Sequence, residues 1–207
     1  MDIRRILVLV FFCSTALSAD FINLCLSKKR PAGFDSLIRN NFSGAIKDLR
    51  FQNEMSCRAL AKAVKEAHSV IVFEPLSDLG LIQIFPALSS FELRSNTTVT
   101  QLNIGQHPEL LSLMVNGPVA LSNLGDILNS RLLNDLGILG REGSSFDAKS
   151  LTELPKLRFV YFDHLTLKNA KSLESLSELR SLTLKKVTLD QPLDWSSFPH
   201  LEKKVVE

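Results

Sequence analysis

The sequence predicts an α/β solenoid, in which short parallel strands from successive turns of the chain stack into one sheet. Three observations predict it: leucine makes up 37 of the 207 residues, an eleven-residue pattern recurs at a spacing of 22, and apolar residues alternate with variable ones after each recurrence. With 45% hydrophobic and 22% charged residues, the chain has enough apolar material for a buried core. This composition excludes a disordered chain.

Residues 1–19 have the pattern of a secretory signal peptide. Arg4 and Arg5 precede an apolar run, Ile6 to Cys13, and small residues follow as far as Ala19. The run is about half of the ~20 residues that a membrane-spanning helix requires. We therefore expect an exported protein, periplasmic or extracellular, with no integral membrane segment after cleavage. An ordinary buried first helix or strand is the alternative.

The charge balance gives no sign of a nucleic-acid partner. The formal net charge is +2, and removing Asp2, Arg4 and Arg5 with the signal peptide leaves 22 basic against 21 acidic groups. A nucleic-acid-binding domain of this size usually carries a clear excess of positive charge. We expect no nucleic-acid ligand.

Cleavage leaves two cysteines, Cys25 and Cys57, in a compartment where thiols oxidise. A disulfide between them is the economical interpretation, and it would close a loop of 33 residues counting both ends. In the chain-entropy model such a loop is worth about 3 to 4 kcal/mol. Two reduced, buried cysteines are the alternative. A redox-active pair is disfavoured because no Cys-x-x-Cys is present.

The clearest internal repeat joins residues 148–158 to residues 170–180. Seven of the eleven positions are identical, including three leucines and a final arginine in each copy. Each copy runs into a short alternating segment, Phe159–Phe162 or Ser181–Leu184, that is typical of a strand.

The repeat places two inward-facing residues on every predicted strand. Successive pairs lie 21 to 24 residues apart, and fifteen of the sixteen inward positions are apolar. The residue between the two members of a pair varies in character, as expected for an outer face. The inward pairs are Leu49/Phe51, Val70/Val72, Phe91/Leu93, Leu113/Val115, Leu136/Ile138, Val160/Phe162, Leu182/Leu184 and Lys204/Val206.

A second group of apolar residues, mostly leucine, lies between consecutive strands. About 15 residues separate one strand from the next, which is too short for a long helix with two connections. Each return segment is therefore predicted to be a short helix, a 3₁₀ turn or an extended stretch on the outer side of the stack.

Units such as residues 173–184 resemble the leucine-rich-repeat family, specifically its short-repeat bacterial, internalin-like type. The segment before the repeats is similar to the helical cap of that type. The resemblance implies a right-handed curved stack with one short parallel strand per 21–24 residue unit and a small helical N-terminal cap. We divide the chain into a signal peptide (1–19), a cap (20–45, extending into 57–66) and a solenoid (46–207).

The chain departs from this family at one position. Five residues after the first inward strand residue, the family usually places an asparagine whose amide bridges backbone groups of successive turns. Here only Asn96 fills that position, so an asparagine ladder is not expected. The units between Pro118 and Ser150 fit the repeat least well.

No catalytic or metal-binding motif is visible. The four histidines share no metal-ligand spacing, and there is no Gly-x-Ser-x-Gly or Gly-rich phosphate loop. We therefore expect no enzyme activity, no cofactor and no metal, and interpret the chain as a binding module for a protein or an envelope polymer. The alternative is a scaffold part of an envelope-associated hydrolase or larger assembly with an unrecognised active site.

The predicted partner surface centres on Phe159, Tyr161, Asp163 and His164, with Met114 and Gly137 on the two preceding strands and Thr183 on the next. Aromatic anchors beside an adaptable residue suit a binding hot spot on the strand face. The alternative is that Phe159 packs against a neighbouring unit and Tyr161 is simply an exposed strand residue.

The C-terminal edge of the sheet carries a separate expectation. The last predicted strand has no return segment after it, and an unpaired parallel strand favours a weak edge-to-edge homodimer. Against this, Lys203 and Lys204 are residues that blunt edge pairing.

Overall fold

The computed structural model describes residues 22–23, 25–27, 34–42, 54–73, 84–102, 107, 109–122, 124 and 132–207. The expected signal peptide, residues 1–19, lies outside these described residues. So does the predicted inward pair Leu49/Phe51.

Within the described residues, residues 22–23 and 25–26 are helical, and two longer helices precede the first strand: α1, Phe34–Phe42, and α2, Glu54–Lys65. In α1 the buried residues Phe34, Leu37 and Ile38 are spaced so that they share one face of the helix. The buried residues of α2 recur at the same spacing and are Cys57, Leu60, Ala61 and Val64. Both helices thus turn an apolar stripe toward the core.

In the described part of the chain, nine strands follow the helices and belong to one sheet. Seven of them, in the order β1-β2-β3-β5-β7-β8-β9, stack as parallel neighbours and form the main ladder of the solenoid. The bounds are β1 Ser69–Phe73, β2 Ser90–Arg94, β3 Ser112–Asn116, β4 Ala120–Leu121, β5 Asp135–Leu139, β6 Ser145–Asp147, β7 Phe159–Lys168, β8 Ser181–Leu189 and β9 Lys203–Val206.

The predicted inward pairs of β1, β2, β3, β5, β7 and β8 are all buried. Strand pairing also puts these pairs in register, so that Val70 lies beside Phe91 and, four strands later, Val160 lies beside Leu182. Because side chains alternate between the two faces of a strand, the residues between each pair form the outer face. The turns between 118 and 150 keep this register, since β5 pairs residue for residue with both β3 and β7.

The prediction that the inward pair of β9 is buried was wrong. Lys204 and Val206 lie beside Leu182 and Leu184 in the ladder, as expected, but both are exposed, and Val206 is 57% exposed. An inward side chain is buried by the turns on both sides of it, and within the described residues β9 has a neighbouring turn on one side only. The ammonium of Lys204 instead lies 3.5 Å from the centre of the Trp195 ring.

A second, shorter parallel ladder runs beside the first. It begins with a bridge between Val99 and Val119 and continues through β4 and β6 into the second halves of β7 and β8. In β7, Leu165 and Leu167 are buried and Thr166 between them is exposed. In the turns of β2, β3, β5, β7 and β8, the structure therefore adds a bridge or a second short strand to the one predicted for each unit.

A corner separates the two ladders. In β7 and β8 it falls at His164 and Lys186, both of which adopt left-handed backbone conformations, with φ of 50° and 49°. The preceding turns place glycine there: a β-carbon on Gly140 would lie 2.6 Å from the carbonyl oxygen of His164. The corner is thus tight because the backbones of successive turns approach closely.

The return segments of the last turns are 3₁₀ helices, in agreement with one of the predicted forms. They span Ala148–Glu153, Ala170–Ser175 and Trp195–Ser197. The first two helices bury Leu151 and Leu173, and the carboxylates of Asp147 and Asp194 cap the first amides of the first and third helices.

A cap at the second of these helices joins two turns. The carboxylate of Asp190 accepts hydrogen bonds from the backbone N–H groups of Asn169 (2.7 Å) and Ala170 (3.0 Å). These bonds hold the pKa of Asp190 below its ordinary value, with the Ala170 bond as the largest cause. The Asn169 amide continues the connection by donating to Asp147, 2.8 Å away.

The helices are joined to the solenoid by side chains. The Asn41 amide of α1 donates to the carbonyl oxygen of Ile71 and accepts from its N–H, each at 2.7 Å, so it pairs with β1 as a neighbouring strand would. The sulfur atoms of Cys25 and Cys57 form a disulfide, with Cα atoms 5.9 Å apart. This bond ties the first helical residues to α2.

Ser144 bridges backbone groups of successive turns, as asparagine does in the family that the sequence resembles. Ser144 is 3% exposed, and its hydroxyl oxygen accepts from the N–H of Arg141 at 2.8 Å and of Val119, in the preceding turn, at 3.1 Å. Asn96, which occupies the expected position, is exposed. The bridge thus exists at one corner with a different residue.

Candidate functional site

The outer face of the main ladder presents a row of side chains from successive strands. The central member of each strand is half-buried or, at Gly137, buried, and the register sets neighbouring members side by side. Adjacent parallel strands lie about 4.8 Å apart, so a ligand could touch several members at once. The row consists of Ile71, Glu92, Met114, Gly137, Tyr161, Thr183 and Val205.

A shallow depression of about 250 Å³ lies in the middle of this face. Gly137 forms its floor, with Met114 on one side and Phe159 and Tyr161 on the other. A β-carbon added to Gly137 would collide with Sδ and Cε of Met114, so the end of the methionine lies directly over the glycine. The absence of a side chain at Gly137 therefore creates the space that Met114 partly fills.

Phe159 and Tyr161 differ in how firmly they are held. Phe159 is 42% exposed and presents its ring to solvent beside the depression. The hydroxyl of Tyr161 donates to the carboxylate of Asp163, 3.1 Å away. Burial raises the pKa of Tyr161, and the Asp163 bond raises it further, so the phenol stays protonated and keeps donating at neutral pH.

Asp163 also forms a hydrogen bond with His164, which follows it at the corner of β7. One carboxylate oxygen thus meets the imidazole and the other meets the phenol. Both partners restrict the Asp163 side chain, and through it the Tyr161 ring. Asp163 and His164 lie outside the depression and act as supports for one of its walls.

Charged side chains flank the depression and are paired. On the side of β2, Glu92 lies 2.6 Å from Arg94, whose guanidinium also lies 5.3 Å from the centre of the Phe73 ring. On the side of β8, Lys185 lies 3.2 Å from Glu207. Within the depression, the acidic residue Asp135 accepts a hydrogen bond from the Asn134 amide and lies among the apolar and aromatic residues of the lining.

The structure brings four of the five predicted partner-binding residues into one connected group: Phe159, Tyr161, Asp163 and His164 lie on β7 within six residues. Met114 joins the group across Gly137. Gly137 lies between Met114 and the aromatic residues, as the register predicted, and Asp135, which the sequence did not single out, also lines the depression. In the sequence, Gly137 stands out as the one glycine among the central outward residues of the seven strands of the main ladder.

Within the described residues, no group of histidine, cysteine and acidic side chains is arranged to hold a metal ion. Over the same residues, no helix has the length and apolar character needed to cross a bilayer.

Neither a protein-family model nor a curated protein sequence matches the chain. Among solved structures, it is similar to an internalin (inlF) from Listeria monocytogenes, with a TM-score of 0.49 and 12% identity, over 86% of this chain and 58% of that one. It is also similar to internalin C2 (inlC2) from the same organism, with a TM-score of 0.43 and 14% identity, over 90% of this chain and 96% of that one. The chain thus spans little more than half of the first of these proteins. By its own stacked parallel strands and the leucines that line them, the chain has the architecture of a leucine-rich-repeat solenoid.

Proposed function

We propose that the chain is an exported, non-enzymatic binding module that recognises a protein or an envelope polymer through its strand face. Met114, Phe159 and Tyr161 form the centre of the contact, and Asp163 and His164 hold Tyr161 in place. The observation that carries the proposal is the depression over Gly137, bordered by one flexible and two aromatic side chains.

The physical character of these residues supports binding. A tyrosine ring already held by a hydrogen bond loses little conformational entropy when a partner covers it. Methionine has three rotatable bonds and adapts to the shape of a ligand, so Met114 can leave the depression when a side chain enters. The combination gives one fixed wall and one adjustable wall.

Export is supported by the disulfide and by the N-terminal sequence. A structural disulfide persists in an oxidising compartment and is rare in the cytosol. Cys25 and Cys57 are both fully buried, so the bond is part of the core and not a surface contact.

A photo-crosslinking experiment tests the position of the contact. Benzoylphenylalanine at position 159, on the strand face, is compared in the native host with the same residue at position 152, an exposed site in the 3₁₀ helix of residues 148–153. The proposal predicts a covalent adduct from position 159 and none from position 152. Adducts from position 152 alone would contradict it.

Once an adduct identifies the partner, the role of Tyr161 can be measured directly. Tyr161→Ala is expected to weaken binding at least tenfold, because truncation of a hot-spot residue typically costs about 2 kcal/mol or more and a tenfold change corresponds to about 1.4 kcal/mol. Gln191→Ala, at an exposed position away from the strand face, should leave affinity unchanged. Unchanged binding by a folded Tyr161→Ala variant would remove this residue from the site.

A further inference from the structure

A second concave surface lies at the opposite end of the molecule from β9, along α2. It is a groove of about 560 Å³ between α2 and the first turns of the solenoid. Its lining includes the basic residues Arg58, Lys62, Lys65 and His68 and the acidic residue Glu66. This groove is separate from the strand-face depression and is lined by none of the same residues.

Helical geometry aligns the cations. Arg58, Lys62 and Lys65 are spaced by four and three residues, which puts them on one face of α2 over about 10 Å of its length. All three are exposed. Lys62 and Lys65 form no ion pair with any residue in the part of the chain that the structure describes. Their charges are therefore available to a ligand.

The floor of the groove is apolar. Ile22, which packs against the core, lines it together with Ala61 and Ala87. A ligand that fits both features has anionic groups toward the lysines and apolar groups toward this floor. A bare polyanion such as a phosphate chain satisfies only the first requirement.

We infer that the α2 groove binds an acidic peptide segment of a partner protein, with carboxylates at Lys62 and Lys65 and an apolar side chain against Ile22, Ala61 and Ala87. The two lysines supply opposite charge, and the small alanine side chains leave room for the apolar group. This contact is additional to the strand face, and its test does not require the strand-face partner.

The probe is a fluorescein-labelled twelve-residue peptide in which glutamate alternates with leucine, titrated against the disulfide-bonded protein by fluorescence anisotropy. Lys62→Gln/Lys65→Gln is expected to weaken binding about five- to tenfold, the effect of losing two exposed charge pairs. The matched control, Lys149→Gln/Lys156→Gln, removes the same charge from two exposed lysines outside the groove and should bind as the unaltered protein does. Thermal denaturation checks that both variants fold.

Two further probes separate the apolar contact from simple charge attraction. A peptide alternating glutamate with serine, and inorganic polyphosphate, should each bind at least threefold more weakly than the glutamate–leucine peptide. Equal affinity of the two double variants for the glutamate–leucine peptide would overturn the groove as its site. Tighter binding of either apolar-free probe would overturn the assignment of an acidic, partly apolar peptide.

Discussion

The first turn of the solenoid and the turns that contain β7 and β8 stabilise their backbones in different ways. Beside β1, the single side chain of Asn41 bonds both polar backbone groups of Ile71. Beside β7 and β8, the chain turns a corner and forms a second ladder, in which residues 165–167 pair with residues 187–189. One end relies on a docked helix and a disulfide, and the other relies on backbone pairing.

This difference bears on function because the proposed strand-face contact lies on the doubly paired part. Phe159, Tyr161 and Asp163 belong to β7, which has neighbours in both ladders. Side chains on such a strand keep their positions when a ligand binds. Binding therefore costs little conformational entropy. The α2 groove lies instead on the end that depends on the helices and the disulfide.

The largest expected effect comes from the core between the two ladders. Phe162 is fully buried and its ring lies 5.5 Å from that of Phe146 on β6. Phe162→Ala should lower the free energy of unfolding by about 3 to 5 kcal/mol, measured by urea denaturation, because it leaves a cavity shared by both ladders. Thr183→Ala, on the outer face, should change it by less than about 0.5 kcal/mol. Similar losses for both would contradict the assignment of inner and outer faces.

The disulfide gives the next largest effect, at the other end of the molecule. Replacing both cysteines in Cys25→Ala/Cys57→Ala should lower the free energy of unfolding by about 3 to 4 kcal/mol, because the unfolded chain regains the entropy of an open loop. Reduction of the unaltered protein should produce a similar loss in the same urea experiment. An unchanged denaturation midpoint in both would show that the bond contributes nothing to the cap.

Part of this architecture could be predicted from the sequence and part could not. The alternation at positions such as Val160 and Phe162 shows directly which residues are buried, since the period of a strand is two. The second ladder also alternates, at Leu165 and Leu167, but the left-handed corner at His164 interrupts the period by one residue. That interruption hides the second strand from a search for regular alternation.

The candidate site, too, could be predicted from the sequence only in part. Phe159 and Tyr161 of β7 could be placed outward by counting along the strand. The depression depends on Met114 bending over Gly137, which is a matter of side-chain conformation. The bonds that fix Tyr161 through Asp163 and His164 depend on the same corner, which brings consecutive side chains to one carboxylate. The Asn41 contact with Ile71 joins residues 30 apart and has no local signature.

That contact gives a smaller, local prediction. Asn41→Ala removes three bonds, one of them to the carbonyl oxygen of Leu37, and leaves the N–H and carbonyl of Ile71 without their side-chain partner, so we expect a loss of about 1 to 3 kcal/mol in the free energy of unfolding. Asn40→Ala changes an exposed neighbour on the same helix and should have little effect. Chemical denaturation of the two variants side by side checks this. A loss that was equal for both would mean that helix propensity, and not the bond to β1, is responsible.

The smallest effect concerns the polar caps at the 3₁₀ helices. Because the pKa of Asp190 is lowered in the folded state, its contribution to stability is present above its ordinary value, near pH 4, and is lost as the pH falls through the lowered pKa. Asp190→Asn should therefore cost about 0.5 to 1 kcal/mol at pH 7 and progressively less below pH 4. Melting temperatures of the two proteins from pH 7 to pH 2.5 should converge, and a difference that widened on acidification would contradict this.

Hydrogen–deuterium exchange of the unliganded protein tests most directly whether the turns of β7 and β8 are held by two ladders. The amides of residues 165–168 should exchange as slowly as those of residues 159–163 in the main ladder, because both segments of β7 lie between two paired strands. Exchange of residues 165–168 at the rate of the exposed turn at residues 141–143 would contradict the second ladder, and with it the firm support assigned to the strand-face site.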